Sequence, residues 1–304
     1  MKNYLGIDIG GTSVKMGIVN EEGTVLLQHE SSVSFDNYQT PIIETVVKTV
    51  HQFNASHHYI IEGIAISAAG QIDTKLGKVI GTCGNLPNYI GSEFKSRFEK
   101  EFNYNVTVVN DANCMILGEK WIGNAKNHEN VIGITLGTGV GGGILVNNQI
   151  LLGSRGLAGE IGHFIVDKAG LLCTCGNNGC YEQVASTTAL IRRVKNSCNA
   201  HVNVDGRWIF NEVQNGNAQV IQCVNEWIDD IAIGLVSLIH IFNPSCILIG
   251  GGVSSQEEFL INPLREKVFS LVMPRFKDNL ELKQARLKNN AGIIGAVYYY
   301  IYNN

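Results

Sequence analysis

One histidine and three cysteines fall within eighteen residues of the segment GEIGHFIVDKAGLLCTCGNNGC, as His163, Cys173, Cys175 and Cys180. An imidazole and three thiolates make the donor set of a tetrahedral zinc whose four positions are all filled by protein. With no position open for water, the expected role of a Zn²⁺ here is structural, which argues against a zinc hydrolase. Glu160 precedes the first ligand and Glu182 follows the last, so folding this segment around a metal would fix two carboxylates in space.

Three glycine-rich stretches offer a second kind of chemistry. Asp8-x-Gly10-Gly11-Thr12 sits between two strand patterns. Glycine lets backbone approach a ligand closely, and successive N–H groups in such a turn form an anion-binding nest. Thr12 adds a hydroxyl donor, and Asp8 places a carboxylate where a hydrated Mg²⁺ would neutralise it against phosphate. Lys15 reads either as a phosphate contact or as a strand-face cation. GTGVGGG at 137–143 contains GxGxxG at Gly137, Gly139 and Gly142, with Thr138 and Gly141 between. The dinucleotide fingerprint requires a helix after its glycines. Here β-branched GILVNNQILL follows and turns back at Asn147-Asn148, so an NAD site is rejected in favour of a phosphate-binding hairpin. Gly250-Gly251-Gly252 lies between a strand and a helix and suits either a nucleoside or a close turn. Asn110-Asp111 ends an apolar strand before a helix, which suits a helix N-cap or a carboxylate base at the edge of a cleft.

These groups need elements to hold them. Strand patterns at 3–10, 15–20 and 24–30 read as an antiparallel meander, and 131–137 with 142–152 reads as a second. Helices are expected from Thr40-Pro41, with proline in the first turn, and over 112–123, 217–242, 256–272 and the closing AGIIGAVYYYIY; buried strands are expected at 60–68, 105–110 and 246–252. The meanders resemble each other. At an offset of 127, Gly6, Ile7 and Gly10 match Gly133, Ile134 and Gly137; one residue less aligns Gly17 and Ile18 with Gly143 and Ile144. Two similar halves facing across a cleft would set two glycine turns opposite one another.

Bulk properties bound the function. The 304 residues suffice for two domains with their own cores, and 45% hydrophobic against 16% charged residues marks a globular chain. A net charge of -4 gives no general attraction to nucleic acid or to an anionic membrane. The start MKNYLGIDIGG shows no signal peptide, and no apolar run approaches the ~20 residues of a membrane span. Eight cysteines are too sparse for a secreted disulfide scaffold, so a reduced, cytoplasmic protein is expected. Cys83, Cys114, Cys198, Cys223 and Cys246 read as small core residues, His57, His58 and His128 as solvated, and Tyr298 to Tyr300 as packing at a domain or subunit interface.

DIGGTSVK, VNDAN, GTGVGGG, GLAGEIGH and CTCGNNGCYE occur in this order along the chain. In that ordered set the sequence resembles the ROK family (repressor, open reading frame, kinase) over essentially its whole length. The resemblance implies an α/β protein of the two-domain, actin-like (ribonuclease-H-like) ATPase fold with an interdomain cleft. It implies a small domain of 1–111 plus a C-terminal helix near 291–304, and a larger one of 112–290 bearing the zinc motif. By resemblance, Gly10, Gly11 and Thr12 form the first phosphate loop and Gly137, Thr138 and Gly139 the second. Asp111 is then the catalytic base. Asn85, Asn110, Glu160, His163 and Glu182 contact sugar, and Gly250 to Gly252 lie on the adenosine side. Ala69-Gly70 departs from a proline-glycine step common in the family, near the sugar.

The implied reaction is attack of a hexose 6-hydroxyl on the γ-phosphorus of ATP, with Mg²⁺ and the glycine turns holding the phosphates and Asp111 taking the proton. Domain closure would exclude water as a competing acceptor. Glucose, N-acetylmannosamine, N-acetylglucosamine, a β-glucoside and fructose all fit the motifs, with glucose or N-acetylmannosamine favoured, and polyphosphate is an alternative donor. The rival class is a sugar-responsive regulator without catalysis; only seven residues precede Asp8, which leaves no room there for a DNA-binding helix-turn-helix. A homodimer is the default assembly.

Overall fold

Two five-stranded sheets of the same topology organise the chain. The computed structural model describes residues 1–34, 36–57, 59–81, 86–198 and 203–303. Packing divides it into two units, Met1–Asn127 with Ile150–Ala158 and Leu287–Asn304, and His128–Gln149 with Gly159–Arg286.

The first unit runs β1 (Asn3–Ile9), β2 (Ser13–Asn20), β3 (Val25–Ser32), α1 (Ile42–Ser56), β4 (Ile64–Ala68), the small hairpin β5 (Gln71–Asp73) and β6 (Lys78–Gly81), α2 (Phe94–Phe102), β7 (Val106–Asn110) and α3 (Asp111–Ile122). Its sheet has the order β3-β2-β1-β4-β7, antiparallel through the meander and parallel from β1 to β4 and β7. The parallel strands are near-continuous apolar runs because both their faces are covered. Pro41 precedes α1 as its cap rather than lying in its first turn. The second unit holds β8 (Val131–Leu136), β9 (Val140–Val146), the start of β10 (Gln149–Ile150), α4 (Glu182–Ala185), α5 (Thr187–Cys198), α6 (Gly206–Gln214), α7 (Ala218–Phe242), β11 (Cys246–Gly250), α8 (Asn262–Leu271) and β12 (Glu281–Gln284). Its sheet order is β10-β9-β8-β11-β12. The chain closes with α9 (Ala291–Tyr302), which packs in the first unit.

The glycine repeat has a register meaning. Gly6 stands opposite Gly17 in β1/β2, and Gly133 opposite Gly143 in β8/β9. In the first unit this bare pair admits α9, since a Cβ on Gly6 would come 2.8 Å from the Ile293 carbonyl. Helices α3 and α9 also meet through glycine. A Cβ on Gly118 would lie 2.8 Å from the Ala291 carbonyl, and one on Gly295 would overlap the Cys114 carbonyl. Buried Glu119 fastens the same corner by accepting from the Leu287 and Asn124 N–H groups at 2.6 and 2.7 Å. That packing keeps α3 with the first unit, which runs to Asn127.

The second unit's core is built on α7, whose Trp227 is fully buried and donates to the Ala185 carbonyl at 2.9 Å. Asn217 caps α7, and Asn243 ends it in the left-handed region just before Pro244. No element was expected over α2, α5 or α6. The π-helical turn Glu257–Ile261 precedes α8, within the single helix expected there. Cys114, Cys223 and Cys246 are buried, while Cys198 is half-buried. His128 corrects the expectation of a solvated ring: its side chain is 11% exposed, with Nδ1 3.0 Å from Ser245 Oγ. Ser245, just before β11, and Lys283, in β12, reach the ring and keep it from solvent. Tyr298 and Tyr300 pack within the first unit, against Trp121 and Tyr4. His57 rests on Phe53; His58 and Cys83 lie outside the described residues. Among the described residues no helix is long and apolar enough to cross a membrane.

Candidate functional site

In the first unit the chemistry collects at the carboxyl ends of β1, β4 and β7. The β1–β2 turn is closed by the Gly10 N–H on the Ser13 carbonyl at 2.9 Å, and Tyr38 Oη donates to the Gly11 carbonyl at 2.8 Å. Thr12 is exposed at the tip. Asp8 lies just before the turn and accepts from Ser67 Oγ at 2.6 Å. Lys15 stands opposite Asp8 in register and Glu30 opposite Lys15, a charge ladder across three strands. Burial raises the Asp8 carboxyl above its usual range, against the pull of Ser67 and Lys15. A desolvated carboxylate beside a turn of N–H donors has the chemistry of a Mg²⁺ ligand, which binds through one or two carboxylates, waters and phosphates.

Asn110 and Asp111 divide the roles that the sequence left open. Asn110 is the N-cap, its side-chain oxygen accepting from the Ala112 and Asn113 N–H groups. Its amide donates to the Gly70 carbonyl at 2.9 Å and to Asp111 Oδ1 at 3.0 Å. Asp111 is therefore an exposed carboxylate at the first helical position, where the helix dipole favours its charge. Tyr89 was missed in the sequence. Burial pushes its phenol far up, helped by the Asp111 and Asp8 carboxylates, and its hydroxyl donates to the Ala69 carbonyl at 3.0 Å. That hydroxyl is spent on the loop where a proline-glycine step is common in the family. Asn85 lies outside the described residues.

In the second unit the ligand atoms of His163, Cys173, Cys175 and Cys180 all lie within 4.8 Å of one another. Tetrahedral Zn–S bonds of ~2.3 Å set ligand atoms about 3.8 Å apart. Cys175 and Cys180 Sγ are 3.4 Å apart, and Cys173 Sγ is 3.6 Å from His163 Nδ1, so the set fits a closed metal cage facing that nitrogen. The Asn177 backbone N–H draws the Cys175 thiol down to about 7. Both flanking carboxylates converge on the imidazole: Glu160 lies 4.0 Å from Nε2 and Glu182 3.9 Å from Nδ1. Desolvation and the Glu182 charge raise the Glu160 carboxyl, while His163 opposes them.

A cavity of about 670 Å³ opens in the same unit. It joins Gly137 and Thr138, just past β8, to Gly252, just past β11, at the carboxyl ends of parallel strands, where open α/β sheets bind ligands. Further walls come from Thr187, Asp205 and Arg207, on or beside elements the sequence did not predict, and from Gln256, at the start of the helix expected over 256–272. Gly250 ends β11, and a Cβ on Gly251, at φ 92°, would overlap the Leu136 backbone. Gly139 lies against Glu182, whereas Gly141 and Gly142 fall inside β9; a Cβ on Gly142 would overlap Ile161. The second glycine stretch thus splits into a turn and a packing surface.

Two α/β units of one mixed topology, each with a glycine turn after its first strand, define the actin-like, ribonuclease-H-like ATPase class. Within that class the chain belongs to the ROK family, whose model matches residues 4–302. The glucokinase of Thermotoga maritima is 32% identical, over 96% of this chain and 95% of its own. A ROK glucokinase from Streptomyces griseus, solved with glucose and AMPPNP, superposes with a TM-score of 0.83 at 32% identity, over 97% of both chains. The xylose repressor of Bacillus spizizenii is 30% identical over 96% of this chain and 75% of its own length.

Proposed function

We propose that the chain is a sugar kinase that transfers the γ-phosphate of ATP to the 6-hydroxyl of a hexose, with glucose or N-acetylmannosamine as the favoured acceptor. The observation that carries this reading is the single cavity shared by Gly137, Thr138 and Gly252. Two stretches far apart in sequence meet there in a volume within the ~300–1,000 Å³ typical of small-molecule sites. The glucokinase relatives and the nucleotide analogue in the Streptomyces griseus structure support it.

In this reading the second unit holds the nucleotide, with Gly137 to Gly139 on its phosphates and Gly250 to Gly252 towards adenosine. Asp111 accepts the acceptor hydroxyl's proton, and Asn110 orients that carboxylate through its amide. Gly10, Gly11 and Thr12 supply donors to the transferring phosphate. Asp8 would hold Mg²⁺ through water, which neutralises phosphate charge. Glu160, His163 and Glu182 bind ring hydroxyls, and His163 with the three cysteines would hold a structural Zn²⁺ that fixes them. A site made of such bonds discriminates strongly against analogues that lack a hydroxyl, because its buried polar groups would be left unpaired.

Asp111→Asn tests the assignment. General-base help is worth about 10²–10⁴-fold, so turnover in a coupled ADP-release assay should fall by that factor while sugar binding persists. Turnover within about tenfold of wild type would remove Asp111 from the role. The same assay run over glucose, N-acetylmannosamine, N-acetylglucosamine, β-glucosides and fructose identifies the acceptor, and replacing ATP by polyphosphate tests the donor. Sugar binding without turnover on any of them would favour the regulator reading, which the repressor relative keeps in view.

A further inference from the structure

Glu182 touches two structures that the proposed function treats separately. Its Oε1 lies 3.0 Å from Cys173 Sγ and 3.9 Å from His163 Nδ1, in the metal knot. Its Oε2 fills the space beside the second glycine turn, where a Cβ added to Gly139 would come within 2.5 Å of it. The side chain is only 11% exposed, so solvent does not separate these contacts.

The backbone makes the same connection again. Glu182 opens α4, and shortly after that helix the Thr187 N–H donates to the Gly137 carbonyl at 2.9 Å. On the other side, Cys180 is a metal-ligating position. Between them Tyr181 is fully buried, stacks on Phe164 and donates to the Ile231 carbonyl at 2.7 Å. Residues 180–187 therefore form a strap anchored in the knot at one end, in the core at Tyr181, and on the Gly137–Gly139 turn at the other.

We infer that Glu182 and this strap couple the metal knot to the nucleotide turn, so that a metal held by His163, Cys173, Cys175 and Cys180 tightens nucleotide binding, and bound nucleotide tightens metal retention. The inference rests on the ATP reading above and gives the knot a part in donor binding. The sign follows from ordering. A metal that fixes the strap has already restricted Gly137 and Gly139, so the nucleotide loses less conformational freedom when it binds. Linkage then requires the reverse effect at equal strength. Couplings of this kind span about 5–150-fold, and roughly tenfold is expected for one side chain and one backbone bond.

The test uses the full chain loaded with Zn²⁺ and titrated with a chelator against a colorimetric zinc indicator, without sugar, with and without adenylyl imidodiphosphate. Analogue binding is measured in parallel by calorimetry. Saturating analogue should raise the chelator needed for half-release about tenfold. Glu182→Gln should lower that ratio to what the Thr187–Gly137 bond alone carries, while the analogue still binds. Gly139→Ala should ease metal release even without nucleotide, although Gly139 is no ligand, because its new Cβ displaces Glu182. An analogue that binds wild type yet leaves the release curve unmoved refutes the coupling and spares the ATP reading. A Glu182→Gln protein that keeps the full effect also refutes it. An analogue that does not bind at all overturns the ATP reading and the coupling together. Should Gly139→Ala fail to fold, Glu182→Gln carries the test alone.

Discussion

Gly292→Ala sets helix propensity against the position of Asp8, and the two predict opposite signs. Gly292 is buried in the first turn of α9. On propensity alone, glycine to alanine in a helix stabilises by about 0.5–1 kcal/mol. Here the added Cβ would lie 2.5 Å from Asp8 Cγ and Oδ1 and 2.8 Å from Oδ2, whereas ordinary contact begins near 3.4 Å. The carboxylate must retreat by about an ångström. Its bond from Ser67 Oγ, now 2.6 Å, would then stretch to the limit of a hydrogen bond. A hydrogen bond to a charged group is worth about 1.5–3 kcal/mol, so loss exceeds gain by about 0.5–2.5 kcal/mol. Thermal unfolding should fall by about 2–4 °C per kcal/mol for a domain of this size. If Asp8 serves Mg²⁺-ATP, KM for Mg²⁺-ATP should rise and kcat fall, with KM for sugar nearly constant. Ser67→Ala removes the same bond without the collision and should destabilise similarly. A Gly292→Ala protein that melts higher than wild type and keeps its KM for Mg²⁺-ATP would show that the carboxylate is not pinned where this reasoning needs it.

Other expectations follow from the same geometry. Purified protein should contain one zinc per chain by metal analysis, and Cys175→Ser should lower both metal content and melting temperature; a zinc-free preparation of full stability would end the structural-metal reading. Arg97 donates to Glu44 at 3.0 Å and to Glu101 at 2.6 Å, and these bonds hold both carboxyls below their usual range. Because the folded values lie below the unfolded value near 4.5, their stabilisation is full above it and is lost as pH falls through the folded values. Arg97→Met should therefore flatten the fall in melting temperature between pH 5 and 3; an unchanged slope would mean that the pair adds nothing in solution, as many exposed ion pairs do.

The meanders were legible because the signal was local. β-rich runs broken by glycine left little choice of element, and the glycines matched at offsets of 127 and 126 turn out to be the cross-strand pairs Gly6/Gly17 and Gly133/Gly143. The convergence of His163, Cys173, Cys175 and Cys180 was legible for the same reason, since four soft donors lie close along the chain. Helix α5 was not. Its sequence TTALIRRVKNSC buries only Ala189, Leu190 and Val194, too few apolar positions to stand out, and its placement depends on α7, against which it packs. His128 was misjudged because polar neighbours in sequence say nothing about Ser245 and Lys283, which arrive from another part of the chain.

The same distinction explains why Asn110 and Asp111 were hard to separate from sequence. Either residue type caps a helix, and either can meet a substrate. The strand–helix junction separates their positions by direction. β7 ends with Asn110 still extended, at φ -61° and ψ 144°, which turns its side chain back over the first helical N–H groups. The next residue is helical, so its carboxylate projects outward from the first turn. Asp111 Oδ1 itself accepts from the Ala112 N–H at 2.9 Å and from the Asn110 amide at 3.0 Å, so both groups hold the carboxylate in place. Asn110 takes the Asn113 N–H and shares that of Ala112 with Asp111, and the charged group lies at an exposed helix end. Exchanging the two residues would keep a competent cap and the same composition, yet place an amide where the proposed kinase reading needs its base, so turnover should collapse while the fold persists.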